Sequence, residues 1–175
     1  KIHVEASRMI QLVNDILQLS HLDNVSETGA APAMETVDLL DVARECVERQ
    51  KVNARRSYIS LTYLGESAPV AGSRSLLDEL CQNLCDNAIR YNRPGGKVQI
   101  ITACTRDGHC TLTVKDNGIG CKSVTPGFGL QHMQERMLML GGTFWYENSD
   151  GFCIRAEIPL RKTPGSEKRK QEETV

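Results

Sequence analysis

The sequence predicts an α+β fold: a two-layer α/β sandwich whose mostly antiparallel mixed sheet is covered by helices on one face, preceded by an N-terminal helical arm. Three observations predict it. Helical and alternating segments follow one another as helices interspersed with hairpins, not as a regular β-α-β alternation. The connections between the alternating segments are short turns, of which Asp107-Gly108 is the clearest hairpin signal. Residues 1–24 carry a heptad seam, and residues 25–34 (VSETGAAPA with its flanks) have Gly and Pro and no periodicity, so an arm and a linker precede a compact domain over 35–161.

In the arm, Ile2, Met9 and Ile16 repeat every seven residues, with Leu12 and Leu19 three residues after the last two, and Ala6 and Val13 widen the seam toward bundle packing. Asp38 is placed to N-cap a helix running to about Ala54, with Leu40, Ala43 and Val47 facing inward. Ile59, Leu61 and Tyr63 alternate with polar residues as a strand does. Ser75 and Asp78 fit a capping box opening a helix that lasts to about Tyr91, where Pro94-Gly95-Gly96 turns the chain. Strands over 97–105 and 110–115 flank the Asp107-Gly108 turn. Leu130, Met133, Met137 and Leu140 make a helical face ended by Gly141-Gly142. A hairpin over 143–147 and 152–158 closes the domain, and the charged segment 162–175 reads as a disordered tail.

The 175 residues hold 21 basic against 22 acidic side chains, a formal charge of −1, which lacks the basic footprint of a nucleic-acid binder. No apolar run approaches the roughly 18 residues of a bilayer span, so no membrane contact is expected of this segment, and Lys168 to Lys170 read as solvated charge. The chain opens at Lys1 inside a helical pattern, which suggests a piece of a longer protein that is cytoplasmic here and carries any membrane anchor elsewhere. The 7 cysteines include no Cys-x-x-Cys pair and no nearby histidine cluster, so reduced thiols are expected, not a disulfide framework or a zinc site.

Two segments carry candidate chemistry. Glu79, Asn83 and Asn87 stand at four-residue steps on one helical stripe, and asparagine is a poor helix-interior residue. Their oxygens suit either a solvated face or the ligand shell of Mg²⁺. Asp116-Asn117-Gly118-Ile119-Gly120 follows a strand and Gly127-Phe128-Gly129-Leu130 opens a helix, a pattern that lets backbone approach a ligand and offers helix N–H groups to phosphate. A P-loop is excluded because the glycine positions before Lys122-Ser123 hold Asp116 and Cys121. A dinucleotide fingerprint is excluded because it needs glycine at Ser123 or His132.

Taken in order, these segments resemble the sensor histidine kinases of two-component systems. Glu79 to Asn92 (ELCQNLCDNAIRYN) is similar to their N box, Asp116 to Gly120 to a first glycine box and Gly127 to Leu130 to a second; residues 1–24, ending Leu19-Ser20-His21-Leu22-Asp23, resemble the second helix of a dimerisation hairpin. The resemblance implies a Bergerat-type ATP fold, shared with gyrase, MutL and heat-shock chaperone ATPases, that binds ATP with Mg²⁺. It implies that Asn87 holds Mg²⁺, that Asn83 and Glu79 shape that shell, and that Asp116 accepts a hydrogen bond from the adenine amino group. Tyr91 would pack on the base, Arg90 would approach the phosphates, Gly118, Ile119 and Gly120 would pass near adenine, and Gly127, Gly129 and Leu130 would bring a helix N-terminus to the phosphates. The expected activity is transfer of the γ-phosphoryl group to a histidine, for relay to a response regulator, by a homodimer in the full-length protein.

Two departures from the family pattern stand out. None of His3, His21, His109 and His132 has an acceptor-like context, so the acceptor is expected on a helix outside this chain. Only Cys121 to Pro126 separate the glycine boxes, a short lid over the nucleotide. The short lid keeps open a binding-only scaffold; a stand-alone ATPase or serine kinase of the same fold is the third reading, against which the heptad arm argues.

Overall fold

A computed structural model describes residues 34–120, 128–149 and 151–160; the expected arm over 1–24, nearly all of the linker, the lid and the tail lie outside the described residues. In chain order the elements are β1 (Glu35–Asp38), α1 (Leu39–Arg56), β2 (Ser60–Gly65), β3 (Pro69–Gly72), α2 (Arg74–Arg90), β4 (Lys97–Cys104), β5 (His109–Asp116), α3 (Phe128–Met139), β6 (Thr143–Ser149) and β7 (Gly151–Pro159).

The main sheet has five strands in the order β2-β4-β5-β7-β6. β2 and β4 are parallel, with Leu61 beside Val98, and every other pairing is antiparallel. A parallel pair needs a crossover, which β3 and α2 supply. The expected mixed, mostly antiparallel sheet is therefore present.

Helix α1 begins where the sequence places it: the Leu40 N–H donates to Asp38 Oδ1 at 2.9 Å. Its fully buried residues are Leu39, Val42, Ala43 and Cys46, while Leu40 is only half-buried, one position off the expected inward set. Helix α2 corrects the expected capping box. It begins at Arg74 after Ser73, two residues early, and Ser73 Oγ pairs with Ser75 Oγ at 2.9 Å instead of capping. One turn inside the helix, Asp78 accepts from Arg74 Nε at 3.2 Å, so its carboxylate serves an ion pair and not a cap.

Leu77, Leu80, Leu84, Cys81, Cys85, Ala88 and Ile89 form the buried face of α2. Each fully buried leucine contributes about 1.5–3 kcal/mol. Each interior asparagine costs at most roughly 0.7 kcal/mol relative to alanine. Packing therefore decides that this segment is helical in spite of Asn83 and Asn87.

β1 and β3 pair antiparallel as a separate ribbon, with Val37 opposite Val70, and this ribbon is absent from the sequence expectation. Each strand has four residues, too short for alternation to show. β2 holds Ile59 just before it in the core, but it is an edge strand, and Tyr63 is 39% exposed. The β4–β5 turn has Gly108 at φ 81°, the left-handed conformation its Asp-Gly signal requires. Helix α3 ends as expected: Gly141 has φ 66°, and the Gly142 N–H donates to Met137 O at 2.8 Å. Met133, Met137 and Leu140 are buried, and on β7 Ile154, Ala156 and Ile158 are buried with Arg155 exposed between them.

Among the described residues no helix is long and apolar enough to cross a membrane. The described cysteines are all free thiols.

Candidate functional site

Asp116 closes β5 and shares the core-facing parity of Cys110, Leu112 and Val114, so strand alternation carries a carboxylate into the core edge, where it is 8% exposed. Burial pushes its pKa above the ordinary 3.8, against the opposing effect of N–H donors at Gly118 and Phe152. Both donate to Oδ1, at 2.7 and 3.3 Å. Oδ2 accepts no hydrogen bond from the described residues. A buried acceptor in this condition is costly unless a donor beyond those residues meets it.

The glycines around Asp116 are required by close approach. A Cβ on Gly118 would lie 2.8 Å from Asp116 Oδ1 and 3.1 Å from Tyr91 O. Gly151, at φ 103°, brings β7 so close that a Cβ would strike the Asp116 carbonyl oxygen. Gly120 has φ 64° and lies beside Asn148, while Ile119 between the two loop glycines is 81% exposed.

Helix α2 arrives at the same place. The Tyr91 N–H donates to Asn87 O at 3.0 Å, and the Tyr91 carbonyl lies against Gly118. Backbone contacts thus run from Asn87 through Tyr91 and Gly118 to Asp116, which brings the C-terminal end of α2 against the first glycine loop. Glu79, Asn83 and Asn87 are half-buried, and the Asn83 and Asn87 amides make no hydrogen bond to another described residue. Those amide oxygens fit a hard cation such as Mg²⁺, which accepts neutral oxygens together with phosphate and water. Among the described residues no group of three or more His, Cys, Asp or Glu could hold a metal by itself. Arg90 is exposed at the end of α2 and Tyr91 is 62% exposed.

Gly129 and Leu130 lie in the first turn of α3, which packs against β6 and α2. Gly127 lies outside the described residues. A cleft of about 550 Å³ at the ends of α1 and α2, lined by Arg56, Tyr58, Asp86 and Pro94 among others, shares only Arg90 with the predicted set. It borders the first glycine loop through Asn92, whose Cα would lie 3.2 Å from a Cβ on Gly118.

Sequence reasoning missed the residues that hold this loop. Asn117 Oδ1 accepts from the Lys97 N–H at 2.6 Å, and Asn92 Nδ2 donates to Lys97 O at 3.1 Å. Gly151 and Phe152 meet Asp116 from a strand 35 or more residues away, as the Phe152 bond shows with its separation of 36. Asn92 at the end of the N box and Asn117 beside Asp116 in the first glycine box were the available signal for the first pair; no local pattern marks the second.

An α+β sandwich with a buried acceptor carboxylate at the end of a central strand, and paired asparagines on the adjoining helix, agrees with the nucleotide-binding fold that the sequence resemblance implies. The family described as histidine kinase-, DNA gyrase B- and HSP90-like ATPase matches residues 72–162, about half of the chain, and the chain belongs to that family. It is 33% identical over 124 residues to the sensor-like histidine kinase SenX3 of Mycolicibacterium smegmatis, a match over 69% of this chain and 30% of that protein. The chain therefore spans less than a third of this relative. Among solved structures, the histidine kinase AdeS of Acinetobacter baumannii has the same fold at TM-score 0.70 and 22% identity, over 87% of this chain and 78% of that one. The cytoplasmic segment of the histidine kinase QseC is similar at TM-score 0.61 and 25% identity, over 89% of this chain and 95% of that one. Within its family this chain carries a histidine kinase ATPase catalytic domain.

Proposed function

We propose that the domain over residues 35–161 binds ATP with Mg²⁺ and transfers the γ-phosphoryl group to a histidine on a dimerisation helix of the same or a partner subunit, for relay to a response regulator. The observation that carries this reading is the buried Asp116 carboxylate, held by Gly118 and Phe152 with Oδ2 unused by the described residues. The adenine amino group is a donor of the right kind for it.

In this reading Asp116 selects the base, and Gly118, Ile119 and Gly120 lie along its edge. Tyr91 packs on the base face with an exposed ring. Asn87 holds the metal, with Asn83 and Glu79 shaping its surroundings, and Arg90 approaches the phosphates. Gly127, Gly129 and Leu130 place the N–H groups opening α3 near the phosphates. Bound Mg²⁺ supplies neutralisation of phosphate charge. Catalysis then consists of positioning the γ-phosphoryl group for in-line attack by the acceptor imidazole, which this chain's residues orient without forming a bond to it.

Residues 1–24 form the second helix of the dimerisation hairpin in this proposal, 25–34 a linker and 162–175 a tail. The full-length protein acts as a homodimer, with this part in the cytoplasm, as in the cytoplasmic segment of QseC. The relatives are kinases by name, which favours a transferase over a binding-only scaffold. The test is to incubate a longer form of the protein, carrying the whole dimerisation hairpin, with γ-labelled ATP. Acid-labile, base-stable label on histidine is the expected result; bound ATP without label overturns the transferase reading.

A further inference from the structure

Cys104 ends β4, and Cys110, the second residue of β5, faces it directly across the antiparallel pair. The adjacent pair toward the turn is hydrogen-bonded, with the Thr105 N–H donating to His109 O at 2.7 Å. Cys104 and Cys110 therefore occupy a non-hydrogen-bonded position, where opposed side chains approach most closely. Their sulfurs lie 2.6 Å apart. Accessibility differs between them: Cys104 is half-buried and Cys110 fully buried. The other described thiol group, Cys46 with Cys81 and Cys85, is buried throughout and has no sulfur that a dissolved oxidant reaches.

We propose that Cys104 and Cys110 are a redox-sensitive modification site, forming a reversible cross-strand disulfide on exposure to a peroxide-class oxidant. The Cys104 sulfur, deprotonated, attacks one peroxide oxygen: an S–O bond forms, the O–O bond breaks, and the departing hydroxide takes up the thiol proton as water. The Cys110 sulfur then displaces the hydroxyl: the S–S bond forms, the S–O bond breaks, and the hydroxide leaves with the Cys110 proton as a second water. Two thiols are oxidised by two electrons as one peroxide is reduced, and a dithiol reductant reverses the change. Burial, together with the neighbouring Cys104, pushes the Cys110 thiol up to about 12, so the more exposed Cys104 meets the oxidant first and Cys110 reacts by its enforced proximity to it. In a reducing compartment such a pair is a transient sensor and not a structural staple.

The location gives the modification a route into the fold. Cys104 Sγ and Cys110 Sγ donate to the carbonyls of Ser67 and Pro69, each at 3.8 Å. That segment is bound to the cap of α1, with the Ala68 N–H donating to Asp38 Oδ1 at 2.8 Å and Ser67 Oγ to Asp38 Oδ2 at 2.6 Å. Disulfide formation removes both thiol donors, so the connection before β3 loosens at the end of β5 opposite Asp116.

The chain treated with hydrogen peroxide and alkylated is to be digested with trypsin without reduction. Cleavage after Lys97, Arg106 and Lys115 puts the two cysteines in separate peptides, 98–106 and 107–115. The expected result is that these two are recovered predominantly as one linked species, abolished by Cys104→Ser and by a dithiol. Cys104→Ala gives the same loss should the serine variant fold poorly. Recovery of both peptides as alkylated free thiols, or of Cys104 oxidised to sulfinate beside a free Cys110, overturns the proposal. Amide exchange at Ala68 is expected to quicken several-fold in the linked protein; an unchanged rate overturns the coupling to the α1 cap.

Discussion

The Gly118 N–H donates to Asp116 Oδ1 at 2.7 Å, and the absent Cβ of Gly118 is what lets Asp116 and the end of α2 meet. One backbone position thus orients the carboxylate and joins it to the asparagine helix. Adding a methyl group tests both roles. Gly118→Ala places Cβ 2.8 Å from Asp116 Oδ1 and 3.1 Å from Tyr91 O, so the loop must shift. The expected cost is about 1–3 kcal/mol in denaturant unfolding, with ATP binding weakened roughly tenfold or more as Asp116 turns away. A variant of wild-type stability and affinity would contradict this role.

Asp116 itself is retained against stability. The folded protein holds a proton on Asp116 more tightly than the unfolded chain does, because burial raises its pKa above 3.8. The unfolded state therefore binds fewer protons in the window just above 3.8, and stability from this group is lost as pH rises through it. Asp116→Asn keeps an oxygen for the Gly118 and Phe152 donors and removes the buried charge. At neutral pH it is expected to melt no lower than wild type, and the two melting curves converge as pH falls toward 3.8. Its ATP affinity is expected to fall about 10- to 100-fold, the usual loss of a hydrogen bond to a charged group.

Asp38 has the opposite sign. Burial alone raises its pKa, but hydrogen bonds from Ser67, Ala68 and Leu40 outweigh that and hold it below the ordinary 3.8. Its contribution is present above that value and is lost as pH falls through the lower, folded one. Asp38→Ala is expected to destabilise by about 1–2 kcal/mol at pH 7, the range for a lost N-cap, and by less in acid. Urea unfolding at both pH values measures it.

Much of this was legible in the residues. Asp38 announces the α1 cap, Asp107-Gly108 the turn and Gly141-Gly142 the end of α3, because each demands a local conformation that few residues supply. Asn83 and Asn87 were legible as candidates because an amide inside a helix breaks a local rule, and Asp116 because a Gly-containing motif follows it directly after a strand. The β1–β3 ribbon was hidden because four-residue strands show no period. The start of α2 was misplaced because Asp78, three residues after Ser75, imitates a capping box, whereas its carboxylate pairs with Arg74 in the first turn of a helix that begins after Ser73. Gly151 and Phe152 were invisible because their meeting with Asp116 is made by the β5–β7 pairing and not by any neighbour in sequence.

Asn87 is expected to act through the metal. Asn87→Ala removes no hydrogen bond to a described residue and improves helix propensity by up to about 0.7 kcal/mol, so stability should be equal or higher. Nucleotide affinity with Mg²⁺ should drop to the value seen with a chelator, while affinity without metal stays unchanged. Titrations with and without Mg²⁺ separate this from general damage, which lowers both.

Binding of ATP at Asp116 is the centre of the account, and isothermal calorimetry of the folded chain with MgATP tests it most directly. Saturable one-to-one binding to wild type, weakened about 10- to 100-fold in Asp116→Asn of equal or greater thermal stability, is the expected result. No binding to the folded wild-type chain, or equal binding to both proteins, would contradict it.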